Sequence, residues 1–130
     1  MHADLAAFVE SRRAALGLSA GQPGADPLDA VLLASDLAFD VLSRHPEYIP
    51  DVRAPGSWAA SPPPAIGDED FAGSLRRYRR HQSVRLIARD VLGTDGVTDT
   101  LAGATGLAEA CIDRALARAV SELEPRFGLS

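Results

Sequence analysis

The chain has no lysine, one cysteine, one tryptophan, and aromatic residues at only 5% of its 130 positions. Each shortage excludes something. A single cysteine, Cys111, rules out an internal disulfide. Flanked by Ala110 and Ile112, it reads as a small buried hydrophobe in a helical run, with no basic neighbour to stabilise a thiolate. No stretch reaches the ~20 consecutive apolar residues that a membrane-spanning helix needs. The opening MHADLAAFVESRR lacks a basic start followed by an apolar run. No signal peptide is read from it, and the cytoplasm is the expected location. A net charge of −5 argues against general nucleic-acid affinity.

Signatures of chemistry are scarce too. His2, His45 and His81 are scattered, and no pair stands four apart on one helix as metal ligands would. No serine lies in a Gly-x-Ser-x-Gly elbow. The run Gly24 to Pro27 is too short for a phosphate loop and follows no strand. Spacing alone therefore names no catalytic residue and no metal site.

What is present is helical. Hydrophobic residues make up 46% of the chain. Most are alanine, leucine and valine, with alanine favouring helix over strand. The length suits one domain with a modest core. A first helix is expected from Asp4 to Leu16, with Gly17 as its stop and a Gly- and Pro-rich loop from Ser19 to Asp26. A second opens near Pro27 and runs to Arg44, where Pro46 disfavours helix at His45. Between Glu47 and Gly67, five prolines and two glycines predict a long loop without regular helix. Trp58, in its middle, either anchors that loop on the helices or stays exposed. A third helix is expected from an Asp68 cap to Leu92, stopped by Gly93, and a fourth from Val97 to Glu124, closed by Pro125. The predicted fold is all-α: an antiparallel bundle of about four helices with a long Pro-rich loop between the second and third. Residues 1–26 read as an N-terminal helix and linker, and residues 27–130 as the helical subdomain.

The third helix carries the most informative pattern. Six of the thirteen arginines, Arg76, Arg77, Arg79, Arg80, Arg85 and Arg89, fall within fourteen residues of an acidic chain. Arg76/Arg80 and Arg85/Arg89 stand four apart, and each like-charge pair costs an isolated helix ~0.2–0.5 kcal/mol. Something must offset that repulsion: carboxylates from other helices, such as Asp36, Asp40 or Glu109, or an anionic ligand or partner. Arg76, Arg80, Arg85 and Arg89 are thus the candidate anion or partner contacts. Asp36 and Asp40, four apart, could share a cation, but are expected rather to pair with arginines of the third helix. Asp90, which cannot face its neighbour Arg89, is expected to reach a group on another helix.

Three stretches resemble one family. They are Ser35-Asp36-Leu37-Ala38 followed by Arg44-His45-Pro46-Glu47; Leu75-Arg76-Arg77-Tyr78-Arg79-Arg80 followed by Arg85 to Gly93; and the Ala-rich helix from Thr98 to Glu124, ending in Arg126-Phe127-Gly128. In this order they are similar to the start of the bifunctional glutamine synthetase adenylyltransferase/adenylyl-removing enzyme, from about Asp29 onward. Gln82 departs from the family's usual acid, and Leu37 and Ala88 stand where aromatics are common. The resemblance implies an enzyme of nitrogen regulation. One half removes AMP from glutamine synthetase and the other attaches it from ATP with magnesium, under a PII-type regulatory protein. The family's catalytic Ser-Asp-x-Asp strand is not found before Ser130. The expectation is therefore an N-terminal helical part, non-catalytic as this chain, without a cofactor of its own, and partnered neither by nucleic acid nor by membrane. The alternative is a stand-alone interaction module that uses the Arg-rich helix face.

Overall fold

The computed structural model describes residues 3–19 and 25–127, and every regular element among them is helical. In chain order they are α1 (Ala3–Ala15), α2 (Pro27–Ala34), α3 (Asp36–Arg44), a 3-10 turn at Pro46–Tyr48, α4 (Ile49–Arg53), a second 3-10 turn at Pro55–Ser57, α5 (Phe71–Val91) and α6 (Val97–Phe127). The all-helical expectation holds, but the expected four helices become six. Most of the loop expected from Ser19 to Asp26 lies outside the described residues, as does the tail 128–130.

The single helix expected from Pro27 to Arg44 is two helices. Ser35 is extended (φ −137°, ψ 113°) and serves both: its N–H donates to Val31 O at the end of α2, and its Oγ accepts from Ala38 N at 3.0 Å to start α3. A serine within an apolar run is a cap signal, and the continuous hydrophobic face hid it. The Pro-rich stretch is also more regular than expected. Each proline of Pro46, Pro50 and Pro55 sits in the first positions of a short helical turn, where its missing N–H is harmless. Asp68 does not cap α5 directly. It accepts from Asp70 N and from Ser74 Oγ, folding the turn that leads into Phe71. At the other end, α6 runs two residues past Pro125, the expected stop, to Phe127.

The core is organised around α2. Leu28, Val31 and Leu32 are fully buried, and this short helix packs against α1, α3, α4 and α5. Ala38, Val41 and Leu42 of α3, Ile49 and Val52 of α4, Trp58, and Val84 and Ala88 of α5 complete the cluster. Complete burial of a leucine or valine contributes roughly 1.5–3 kcal/mol, so this layer supplies most of the cohesion. The two left-handed glycines, Gly17 at φ 76° and Gly93 at φ 73°, end α1 and α5. After α5, Thr94 N donates to Arg89 O and Gly93 N to Asp90 O, turning the chain sharply into α6. There α6 lies along α5, closely enough at Gly103 that a Cβ would stand 2.6 Å from Leu86 Cδ2.

Trp58 settles the alternative left open by the sequence: it is 4% exposed and anchors the loop. Its ring meets His81 at 5.0 Å edge-on and Tyr48 at 6.5 Å. Burial pushes the His81 imidazole below its usual value. In urea unfolding followed by circular dichroism, Trp58→Ala is expected to cost about 3–5 kcal/mol, and Ser35→Ala, through the lost cap, about 1 kcal/mol.

Candidate functional site

The arginines of α5 divide by the side of the helix they occupy. Arg85 and Arg89, one turn apart, face the Pro-rich segment. Arg85 Nε donates to Trp58 O at 2.7 Å, and Arg89 Nη1 donates to Pro55 O at 2.8 Å. Carbonyls of irregular backbone lack the partners of a regular ladder; Arg85 gives Trp58 O a donor, and Arg89 adds a second to Pro55 O, which also accepts from Trp58 N at 3.2 Å. Arg89 also grips Asp95 with two bonds, Nε to Oδ2 at 2.9 Å and Nη2 to Oδ1 at 3.0 Å. That pairing raises the Arg89 pKa and lowers that of Asp95. Arg85, beside Arg89 and partly buried, is pushed down, chiefly by burial.

Repulsion within this pair is therefore offset by two loop carbonyls and Asp95. None of the acids expected from the sequence does this. The signal for Asp95 was its place two residues after Gly93, where the left-handed turn folds the chain back on Arg89. Of the expected pairs, Asp36 bonds Arg12 of α1, and Asp40 meets Arg44 of its own helix at 3.5 Å. Neither pairs with an arginine of α5. Asp90 accepts from Thr100 Oγ1 of α6 at 3.2 Å.

The N-terminal half of α5 is different. Arg76 and Arg79 are exposed. Arg77 bonds Asp70 and Ser74 at the start of the helix. Arg80 Nη1 lies 3.2 Å from His45 Nε2, whose Nδ1 is 3.2 Å from Glu47 Oε1. Arg80 can only donate, so His45 accepts at Nε2 and carries its proton toward Glu47. Gln82, where the resemblance points to an acid, is buried and bonds the ring of His81.

Two further charged clusters escaped the sequence reading. Arg13, 8% exposed, bonds Asp26 at 3.0 Å and Asp29 at 2.8 Å, and Arg53 bonds Asp26 at 2.8 Å. The Asp26 carboxyl is drawn down to about 2, mainly by Arg53, with Leu28 N–H and Arg13 adding and burial opposing. Arg12 lies between the rings of Phe8 and Phe39 and donates to Leu32 O, closing the end of α2. The signal for both was Arg12-Arg13 in the last turn of α1, ahead of an Asp-Pro helix start.

Between α5 and α6 runs a groove of about 540 Å³, lined by Arg79, Leu86, Ile87, Leu107, Cys111 and Ile112 among others. Burial raises the Cys111 thiol, with Arg79 opposing. Among the described residues no three His, Cys, Asp or Glu side chains are grouped to hold a metal ion, and no helix is long and apolar enough to cross a membrane.

A family model described as glutamate-ammonia ligase adenylyltransferase matches residues 28–130. A bifunctional glutamine synthetase adenylyltransferase/adenylyl-removing enzyme of Xanthomonas campestris pv. campestris is 41% identical over 109 residues, covering 78% of this chain and 11% of the relative. The enzyme of the same name from Stenotrophomonas maltophilia (strain K279a) is 41% identical over 107 residues, again 78% and 11%. That of Xanthomonas axonopodis pv. citri is 36% identical over 126 residues, 89% and 13%. The chain thus spans roughly one-eighth of the length of these curated relatives or slightly less. No solved structure matches.

Two predictions follow the geometry. Arg85→Ala, which strands the Trp58 carbonyl, is expected to destabilise by about 1–3 kcal/mol, while the exposed Arg76→Ala stays within about 0.5 kcal/mol; denaturant titration compares them. Asp26 is ionised in the folded state below its ordinary 3.8, so its contribution is complete above about pH 4 and disappears as pH falls toward 2. Asp26→Asn keeps a capping oxygen but removes this charge, and its unfolding free energy should therefore vary less across that window.

Proposed function

Since this chain belongs to the glutamate-ammonia ligase adenylyltransferase family, we propose that it is the N-terminal helical part of an enzyme that adenylylates and deadenylylates glutamine synthetase in nitrogen regulation, and that by itself it is non-catalytic. The observation that carries this is the match through residues 28–130, together with relatives named for both activities at 36–41% identity. On this reading, helices α1–α5 form a rigid support, and the reaction belongs to the portion of the family protein beyond the matched region. ATP and magnesium serve the full-length enzyme. The residues here do not fit such a site: nucleotidyl transfer needs carboxylates that hold a metal against the phosphates, whereas Asp26, Asp29 and Asp95 pair with arginines and no three His, Cys, Asp or Glu side chains are grouped among the described residues. Glutamine synthetase and a PII-type regulatory protein are the partners of the complete enzyme, working in the cytoplasm.

A second reading, an interaction module for an acidic surface, draws support from the exposed Arg76 and Arg79 beside the half-buried Arg80. The inward engagement of Arg85 and Arg89 halves the stripe available to it. Arg76 and Arg80 remain the contacts proposed on that side.

The purified chain, given adenylylated glutamine synthetase, phosphate, magnesium and the regulatory protein, is expected to release no ADP above background. Turnover by this chain alone would overturn the non-catalytic reading. Calorimetry against glutamine synthetase separates the second reading, which requires binding that weakens with salt and with Arg76→Ala.

A further inference from the structure

The apolar surface of the molecule is unevenly placed. Of the nine exposed large hydrophobic residues among the described residues, six lie on α6: Val97, Leu101, Ile112, Leu116, Val120 and Leu123, between 42% and 73% exposed. At 100° per residue they share one side of the helix, away from Leu107 and Arg118, which turn toward α5 and the preceding loop. Ile112 belongs to both this stripe and the α5–α6 groove, so the two form one continuous apolar surface. The six lie in two groups, Val97 with Leu101 and Ile112 through Leu123, within ~39 Å of helix, and a clustered exposed apolar patch marks an interface.

We infer that this outer face of α6, with the adjoining groove, is the surface on which the remainder of the family polypeptide seats this helical segment. The inference rests on the proposed function and specifies its contact. The match includes all of α6, and in the relatives this stretch belongs to a chain some eight- to ninefold longer. A covalently attached surface is present at an effective concentration in the millimolar range. It therefore occupies an apolar helix face ahead of a second copy, which must associate from dilute solution.

The test compares thiol reactivity in two settings. Leu116→Cys and, as control, Glu10→Cys on α1 are introduced into the isolated chain and into a chimera in which this chain replaces the matching region of the Xanthomonas campestris relative. Labelling by iodoacetamide is read by peptide mass spectrometry, which resolves the new thiol from Cys111. Leu116→Cys is expected to react at least tenfold more slowly in the chimera than in the isolated chain, with Glu10→Cys unchanged. Equal rates in both settings would overturn the inference. So would slow labelling already in the isolated chain that speeds up on dilution, which assigns the face to a second copy. Adenylylation by the chimera is measured separately. An active chimera whose Leu116→Cys stays reactive removes the docking face and leaves the family-segment reading intact; an inactive chimera with a reactive thiol removes both.

Discussion

The structure depends on guanidinium groups donating to backbone carbonyls where the helices stop. Arg12 reaches Leu32 O, Arg85 reaches Trp58 O, Arg89 reaches Pro55 O, and Arg118 reaches Ile66 O and Asp68 O. Each acceptor lies at a helix end, in a short turn or in irregular chain, and the Pro55 carbonyl takes Arg89 in addition to Trp58 N–H. A planar cation with five donors satisfies such a carbonyl and can bond a carboxylate at the same time. Arg89 does both, joining Pro55 to Asp95. A lysine, with a compact head and no fork, would hold one of these groups less well than both. The absence of lysine thus suits the architecture.

These contacts explain how a segment rich in proline becomes part of the core. From Pro46 to Gly67 the chain has few backbone bonds of its own, but it is held from three directions. Trp58 is inserted among Tyr48 and His81, α5 bonds its carbonyls through Arg85 and Arg89, and α6 bonds its end through Arg118, whose guanidinium also lies over Phe71. The ordering entropy of a segment of this length is of order 1–2 kcal/mol per residue. One buried indole does not balance that, and the set of fixed donors is the other half of the explanation.

The helical class, the glycine stops at Gly17 and Gly93, and the Arg-rich helix could all be read from sequence, because each rests on local chemistry: alanine propensity, left-handed backbone, charge repeated every four residues. What could not be read depended on tertiary partners. The split at Ser35 was hidden because both resulting helices bury an apolar face, so the apolar pattern continued across the cap. The partners of Arg85 and Arg89 were sought among carboxylates, since charge is visible in a sequence and a stranded carbonyl is not. Asp36 turned to Arg12 of α1, a pairing across 24 residues that no periodicity encodes. Arg13, Asp26 and Asp29 were missed for the same reason: each looks like a helix-end residue until the two ends are placed side by side.

Apolar residues play two different parts in this chain. In α2 the large ones, Leu28, Val31 and Leu32, are fully buried in a compact layer. In α6 a 31-residue helix spends one side on α5 and leaves the other uncovered. A helix kept for solubility would carry charge on that outer side, as α5 does with Arg76 and Arg79; α6 carries Leu101, Ile112, Leu116 and Val120 there. Hydrophobic side chains left in water gain nothing for the isolated fold, and single exposed leucines need no explanation. Six of them on one side of a helix, within ~39 Å, have a different physical meaning. The free energy that would stabilise this helix has been left unrealised, to be recovered against another surface, and in a family whose members extend far beyond this region the adjoining polypeptide is the nearest surface able to recover it.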